Sequence, residues 1–245
     1  MVRSEFNLML EGLDIIIKRT AVLRRLGYRT GEVKPEIEAI LSREIEEGYH
    51  LITPRAVYSR QPVKEHQQGT ITLNNQLSLN TGSLAEEWLG SEHLGVVICT
   101  IGPALEDKVD ELFAKDDYLS ALILDSAGSV VVEALADEIN YLLCRRERGA
   151  GNKVGPRASP GYGKWHLSHQ KLFFSLLPAH QIKVRLNQQC MMIPRKSISF
   201  CLGIGKGLDY RFNPCRRCGK EGCGYRWSPE QSIREIYEPG NYFNR

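Results

Sequence analysis

Between Tyr118 and Arg146 the sequence places apolar residues on more than one face of a helix: Leu119, Leu122, Ile123, Val130, Val131, Leu135, Ile139, Leu142 and Leu143. A surface helix needs a single apolar stripe, so a helix that is apolar over a wider arc has to be covered on several sides. The fold must therefore be wrapped around this segment. A polar stripe also runs along it at helical spacing, through Ser126, Ser129, Glu133, Asp137 and Asn140, with small Gly128 beside it. On spacing alone that stripe reads as a solvated face.

The flanking segments supply the elements to pack against it. Pro35 to Gly48 reads as an amphipathic helix, with proline in the first turn, Ile37, Leu41 and Ile45 four apart, and Gly48 at its end. Thr70 to Leu79 reads as a hairpin in which Asn74 and Asn75 take positive φ. Ser83 and Glu86 fit a capping box that opens a short helix through Trp88. The run from Leu94 to Thr100 suits a buried strand, and Pro103 starts another helix bearing Leu105, Val109, Leu112 and Phe113. Further on, Trp165 to Leu177 suggests a helix ended by Pro178. Gln181 to Leu186 and Ser197 to Ile204 alternate as strands. His166 and His169 read as surface or capping residues, because no nearby serine or cysteine makes a nucleophile pair with either. The glycine run from Gly203 to Gly207 lacks the spacing of a phosphate-binding loop or of a dinucleotide fold.

The segment Gly155-Pro156-Arg157-Ala158-Ser159-Pro160-Gly161-Tyr162-Gly163 is built to hold one shape. Arg157 offers a planar fork of donors that matches a carboxylate, Gly161 bare backbone, and Tyr162 a flat face with a polar tip. Arg157 to Tyr162, as Arg-x-x-x-Gly-Tyr, resembles the S-adenosylmethionine-binding signature of the activation domain of cobalamin-dependent methionine synthase. Pro194-Arg195-Lys196-Ser197-Ile198-Ser199 is similar to that family's Pro-x-x-Ser-x-Ser segment, and the helix carrying Glu133 to Asp137 resembles its acidic helix. The resemblance covers roughly residues 90 to 205. One departure is plain: the family places a second glutamate shortly before its arginine, and Gly151 to Pro156 contains no acidic residue.

The resemblance implies an α+β fold, a twisted and largely antiparallel sheet packed with helices. Residues 1–89 would form the N-terminal part of the domain, 90–208 the S-adenosylmethionine-binding core and 209–245 a cysteine-rich tail. It further implies that Arg157, Ala158, Gly161, Tyr162, Glu133, Ser197 and Ser199 contact the cofactor, with Asp137 as a weaker second acid on the helix. Such a domain presents the methyl donor to a cobalamin that has been oxidised out of its catalytic cycle. The implied partners are a corrinoid-carrying methyltransferase and a low-potential electron donor such as flavodoxin or ferredoxin. None of the six histidines lies in an Asp-x-His-x-x-Gly setting, so cobalamin is expected only on the partner.

Cys215, Cys218 and Cys223 follow Cys-x2-Cys-x4-Cys spacing among glycines, a strong signal for zinc or an iron–sulfur cluster. Zinc would need a fourth ligand, for which Cys201 and Cys190 are the candidates. The tail keeps a second reading open, an electron carrier or sensor acting through that metal. With 32 basic and 29 acidic residues the charge demands no polyanionic partner, and no basic–aromatic pattern extends beyond the tail to favour nucleic acid. No charged-then-apolar leader opens the chain, and the runs Leu13 to Ile17 and Leu94 to Cys99 are too short to span a bilayer. A cytoplasmic protein is the expectation.

Overall fold

The computed structural model describes residues 7–13, 15–28, 33–162 and 165–208. In chain order the regular elements are β1 (Asn7–Glu11), α1 (Arg19–Arg25), α2 (Pro35–Leu51), β2 (Arg55–Gln67), β3 (Thr70–Leu73), β4 (Ser78–Asn80), β5 (His93–Thr100), α3 (Ala104–Ala114), α4 (Tyr118–Gly149), β6 (Lys153–Val154), α5 (Gln170–Leu176), β7 (Arg185–Leu186), β8 (Met192–Ile193) and β9 (Ser197–Gly205). Short 3₁₀ turns at Gly82–Trp88, Leu167–His169 and Ala179–Ile182 fill the connections. The main sheet runs β4-β3-β2-β5-β9-β6, with β1 on β2, and every pairing is antiparallel. This is the α+β architecture expected.

Both faces of the sheet are covered, which explains why β5 is apolar without alternation and buried from Leu94 to Thr100. One face packs Val97, Cys99, Phe200, Leu202 and Ile204 against α4, flanked by α1, α2 and α3. The other packs Leu94, Val96, Ile98 and Cys201 against Trp88, Trp165 and Phe173. The 32-residue α4 is the central helix that its sequence requires, buried along most turns from Ser120 to Glu147. Its apolar window, mean hydropathy 1.6, passes the composition test for a membrane span, and 67% of that window is buried inside the fold.

Several local expectations are corrected. Gly48 does not end α2; it lies buried inside it, where a Cβ would stand 3.2 Å from Ile17 Cδ1, so its value is close packing. In the β3–β4 turn Gln76, not Asn74 or Asn75, takes positive φ, and Asn75 Oδ1 accepts from Leu77 N at 3.1 Å. The Ser83–Glu86 segment lies inside a 3₁₀ turn that begins at Gly82, so the N-cap position falls on Thr81 rather than Ser83. Gln181 to Leu186 is mostly turn: Lys183 is left-handed and only Arg185 and Leu186 pair as strand. Ile182 and Val184 are nevertheless buried, so apolar alternation was satisfied without a strand.

Candidate functional site

The Arg157 segment lies along the open edge of the sheet beside β9. β6 pairs with the end of that strand, then Gly155 N donates to Gly203 O at 2.8 Å, and Ala158 and Cys201 exchange two backbone bonds of 2.9 Å. Trp88 fastens the segment from below. Its Nε1 donates to Pro156 O at 2.8 Å, and its ring fills the space that side chains at Gly155 and Gly203 would take, with Cδ1 at 3.2 and 2.9 Å from their absent Cβ positions. The glycines at these two positions therefore serve the packing of one indole.

Strand alternation then aims successive residues to opposite faces. Ala158 is buried in the Trp88 core, whereas Arg157 crosses to the α4 face, its guanidinium carbon 5.6 Å from the centre of the Phe200 ring. There Arg157 Nη2 donates to Glu133 Oε2 at 3.0 Å and to Asp137 Oδ1 at 2.9 Å. The Arg157 side chain is 20% exposed while the two carboxylates are 53% and 63% exposed, so the cation is set in and the acids face solvent. Burial opposes the guanidinium charge, but Asp137 and Glu133 outweigh it and hold the pKa of Arg157 above its ordinary value. No acceptor among the described residues takes its Nε or Nη1. The stripe on α4 is thus not a plain solvated face.

Gly161 has φ of +100°, a conformation that side chains resist, and its N donates to Trp165 O at 2.8 Å. A bond from Tyr162 N to Ser159 O at 3.1 Å tightens the turn and leaves Tyr162 49% exposed. Arg157, Glu133 and Asp137 therefore meet, with Gly161 and Tyr162 further along the same loop and Ala158 as its backbone anchor. Ser197 and Ser199 do not join them. Ser197 Oγ donates to Pro194 O at 2.7 Å and lies 2.9 Å from Thr100 Oγ1, and Ser199 is 2% exposed on the face of β9 opposite Phe200. His166 and His169 are no part of the site; His166 Nδ1 accepts from Ser168 N at 3.2 Å and caps the turn after the loop.

Three contributors were not evident from sequence. Phe200 forms the floor, Lys18 acts electrostatically on Asp137 from the connection between β1 and α1, and Cys99 lies beneath the cluster. Burial pushes the Cys99 thiol up to about 12 despite the opposing influence of Arg157, so it is held protonated. Cys215, Cys218 and Cys223 lie outside the described residues. Cys201, one of the two candidates for a fourth ligand, is completely buried in the core with Trp88, and burial raises its thiol well above the ordinary value. Among the described residues no group of three or more His, Cys, Asp or Glu is arranged to hold a metal.

No protein-family model matches this sequence, and no curated protein matches it. Among solved structures the fold is similar to the crystal structure of the MetH reactivation domain bound to AdoHcy, with a TM-score of 0.59, 13% identity, and coverage of 85% of this chain and 81% of that chain. The chain has a reactivation-domain-like α+β fold.

Proposed function

We propose that the protein binds S-adenosylmethionine in the groove between the Arg157 loop and α4, and supports reductive remethylation of a cobalamin held by a separate methyltransferase. The observation that carries this reading is Arg157, inset against Phe200 and tied to two outward-facing carboxylates, on a fold similar to a domain whose crystal structure holds AdoHcy. The charges suit the ligand. Its amino-acid carboxylate would take the Nε–Nη1 edge of Arg157, and its ammonium and sulfonium would face Glu133 and Asp137. Asp137 would also stand in for the acidic residue missing between Gly151 and Pro156. Gly161 and Tyr162 would shape the adenosyl side, where bare backbone and an exposed ring allow close approach. Ala158 would hold the loop in place, with Ser197 and Ser199 supporting β9 beneath it.

S-adenosylmethionine supplies a methyl group on a good leaving group, so the protein needs no general base. Its residues contribute orientation and electrostatics: a fixed cation, two acids, and a rigid loop. The methyl acceptor would arrive on a corrinoid protein, with electrons from a donor such as flavodoxin or ferredoxin. Reconstitution tests the partner. The host's inactive corrinoid protein, a low-potential reductant and S-adenosylmethionine should give the methylcobalamin spectrum with this protein present, more slowly with Arg157→Ala. No acceleration with any corrinoid protein of the host would rule the proposal out.

A further inference from the structure

Two consecutive residues at the entrance to β9 reach two different helices. Arg195 goes to α3: its backbone N donates to the Glu106 carboxylate at 2.9 Å, its Nε to Glu106 Oε2 at 2.8 Å, and its Nη2 to Asp110 Oδ1 at 2.8 Å. Lys196 goes to α4: its Nζ donates to Asp125 O at 3.0 Å and Ser129 Oγ at 2.8 Å, and pairs with Asp125 Oδ1 at 2.6 Å. The Lys196 side chain is only 11% exposed. Its backbone is fixed to the sheet, since Ile101 N and Thr100 Oγ1 donate to its carbonyl at 3.2 and 3.3 Å. Gly128 makes the niche. A Cβ there would stand 2.5 Å from Leu105 Cδ2 and 3.3 Å from Lys196 Cε.

Elsewhere on its packed surfaces α4 meets its neighbours mainly through apolar side chains. Such contact is non-directional and specifies rotation and axial position poorly, whereas a buried ionic contact specifies them well. Turning the helix by one residue, about 100°, would carry Glu133 away from the loop. Asp125, Ser129, Glu133 and Asp137 follow at four-residue spacing on one face, and Lys196 grips the first two while Arg157 meets the last two. We propose that Lys196 is a positioning residue: it sets the register of α4 against the sheet so that Glu133 and Asp137 fall on Arg157. This deepens the reading of the Arg157 groove as a ligand site and depends on that reading only for its binding measurement.

Lys196→Met is the informative variant. It keeps the length and packing of the stem, leaves Asp125 half-exposed to water, and leaves Ser129 Oγ donating to Asp125 O at 3.1 Å, so no buried group loses its partner. The fold is expected to survive, with an unchanged or slightly raised melting temperature. Two readouts then decide. In nitrogen-15 arginine-labelled protein, the guanidinium signal of Arg157, identified by its loss in Arg157→Lys, should show hindered rotation in the wild type and move to the position of a solvated arginine in Lys196→Met. In calorimetry, S-adenosylmethionine should bind about tenfold more weakly, the scale of one charged hydrogen bond. A wild-type guanidinium signal in folded Lys196→Met would overturn the proposal, as would wild-type affinity. Should that variant fail to fold, Gly128→Ala displaces the lysine by another route and is judged on the same two readouts. If the wild type binds no S-adenosylmethionine, the ligand reading fails and the guanidinium signal still decides on Lys196.

Discussion

Arg157 does two things at once, which sets how its variants should behave. It crosses from the loop to α4, and in the proposed site its Nε–Nη1 edge takes the ligand carboxylate. Arg157→Ala should weaken S-adenosylmethionine binding by about 2–4 kcal/mol, the cost of leaving a desolvated carboxylate without a bidentate partner. Arg157→Lys should restore only part of this, because a point charge does not reproduce the fork. Titrating both folded variants by calorimetry checks the order, and equal affinity for wild type and Arg157→Ala would remove this residue from the site. The thiols give a second residue-scale test. Burial pushes Cys99 up to about 12 and Cys144 up to about 11, and raises Cys201 well above its ordinary value. A thiol whose folded pKa is raised contributes stability fully present below its unfolded value, about 8.5, and lost as pH rises through the folded one. Melting temperature should therefore fall above about pH 9 by more in the wild type than in Cys99→Ser. At neutral pH, mass-spectrometric mapping of alkylation should leave Cys99, Cys144 and Cys201 unmodified in native protein. It also tests metal at the tail, since free reaction of Cys215, Cys218 and Cys223 together with absence of zinc and iron would exclude it.

At the scale of elements, the loop depends on how β9 and the edge segment share Trp88. Gly203→Ala would bring a Cβ to 2.9 Å from the indole Cδ1 and 3.1 Å from Trp88 Cβ and Cγ, against a ring whose Nε1 is tied to Pro156 O. Overpacking of this kind costs about 1–3 kcal/mol, and each kcal/mol lowers the melting temperature of a chain this size by about 2–4 °C. Calorimetric melting checks it; a melting temperature within one degree of wild type would mean that Trp88 is not the rigid post described. Elements and loop differ in how far sequence reveals them. The length and apolar coverage of α4 announce a central helix, and the unbroken apolar run of β5 a doubly covered strand. Arg157 and Glu133, singled out by the motif and the helical stripe, are brought together as an ion pair at 3.0 Å. Phe200, Lys18 and Lys196 were not, because their roles rest on contacts between distant parts of the chain: Lys196 meets Ser129 67 residues away. Local periodicity carries no record of such pairs, and for the same reason Gln181 to Leu186 read as strand while only Arg185 and Leu186 pair as one.

For the molecule as a whole, the sheet is covered on one face by helices and on the other by the Trp88, Trp165 and Phe173 cluster, and the Arg157 loop, the proposed ligand site, runs along an edge beside β9. An edge site suits a domain that must show a bound methyl group to another protein, since neither core has to open. β1 to β4 belong to the same sheet as β5 and β9, so the N-terminal strands are continuous with the strand beside the Arg157 loop. The central claim is that this groove holds S-adenosylmethionine on Arg157. Isothermal titration of the purified, folded wild-type chain with S-adenosylmethionine tests it most directly. Saturable one-to-one binding that is weakened by about 2–4 kcal/mol in folded Arg157→Ala is the predicted result, and absence of binding by the folded wild type at millimolar ligand would contradict it.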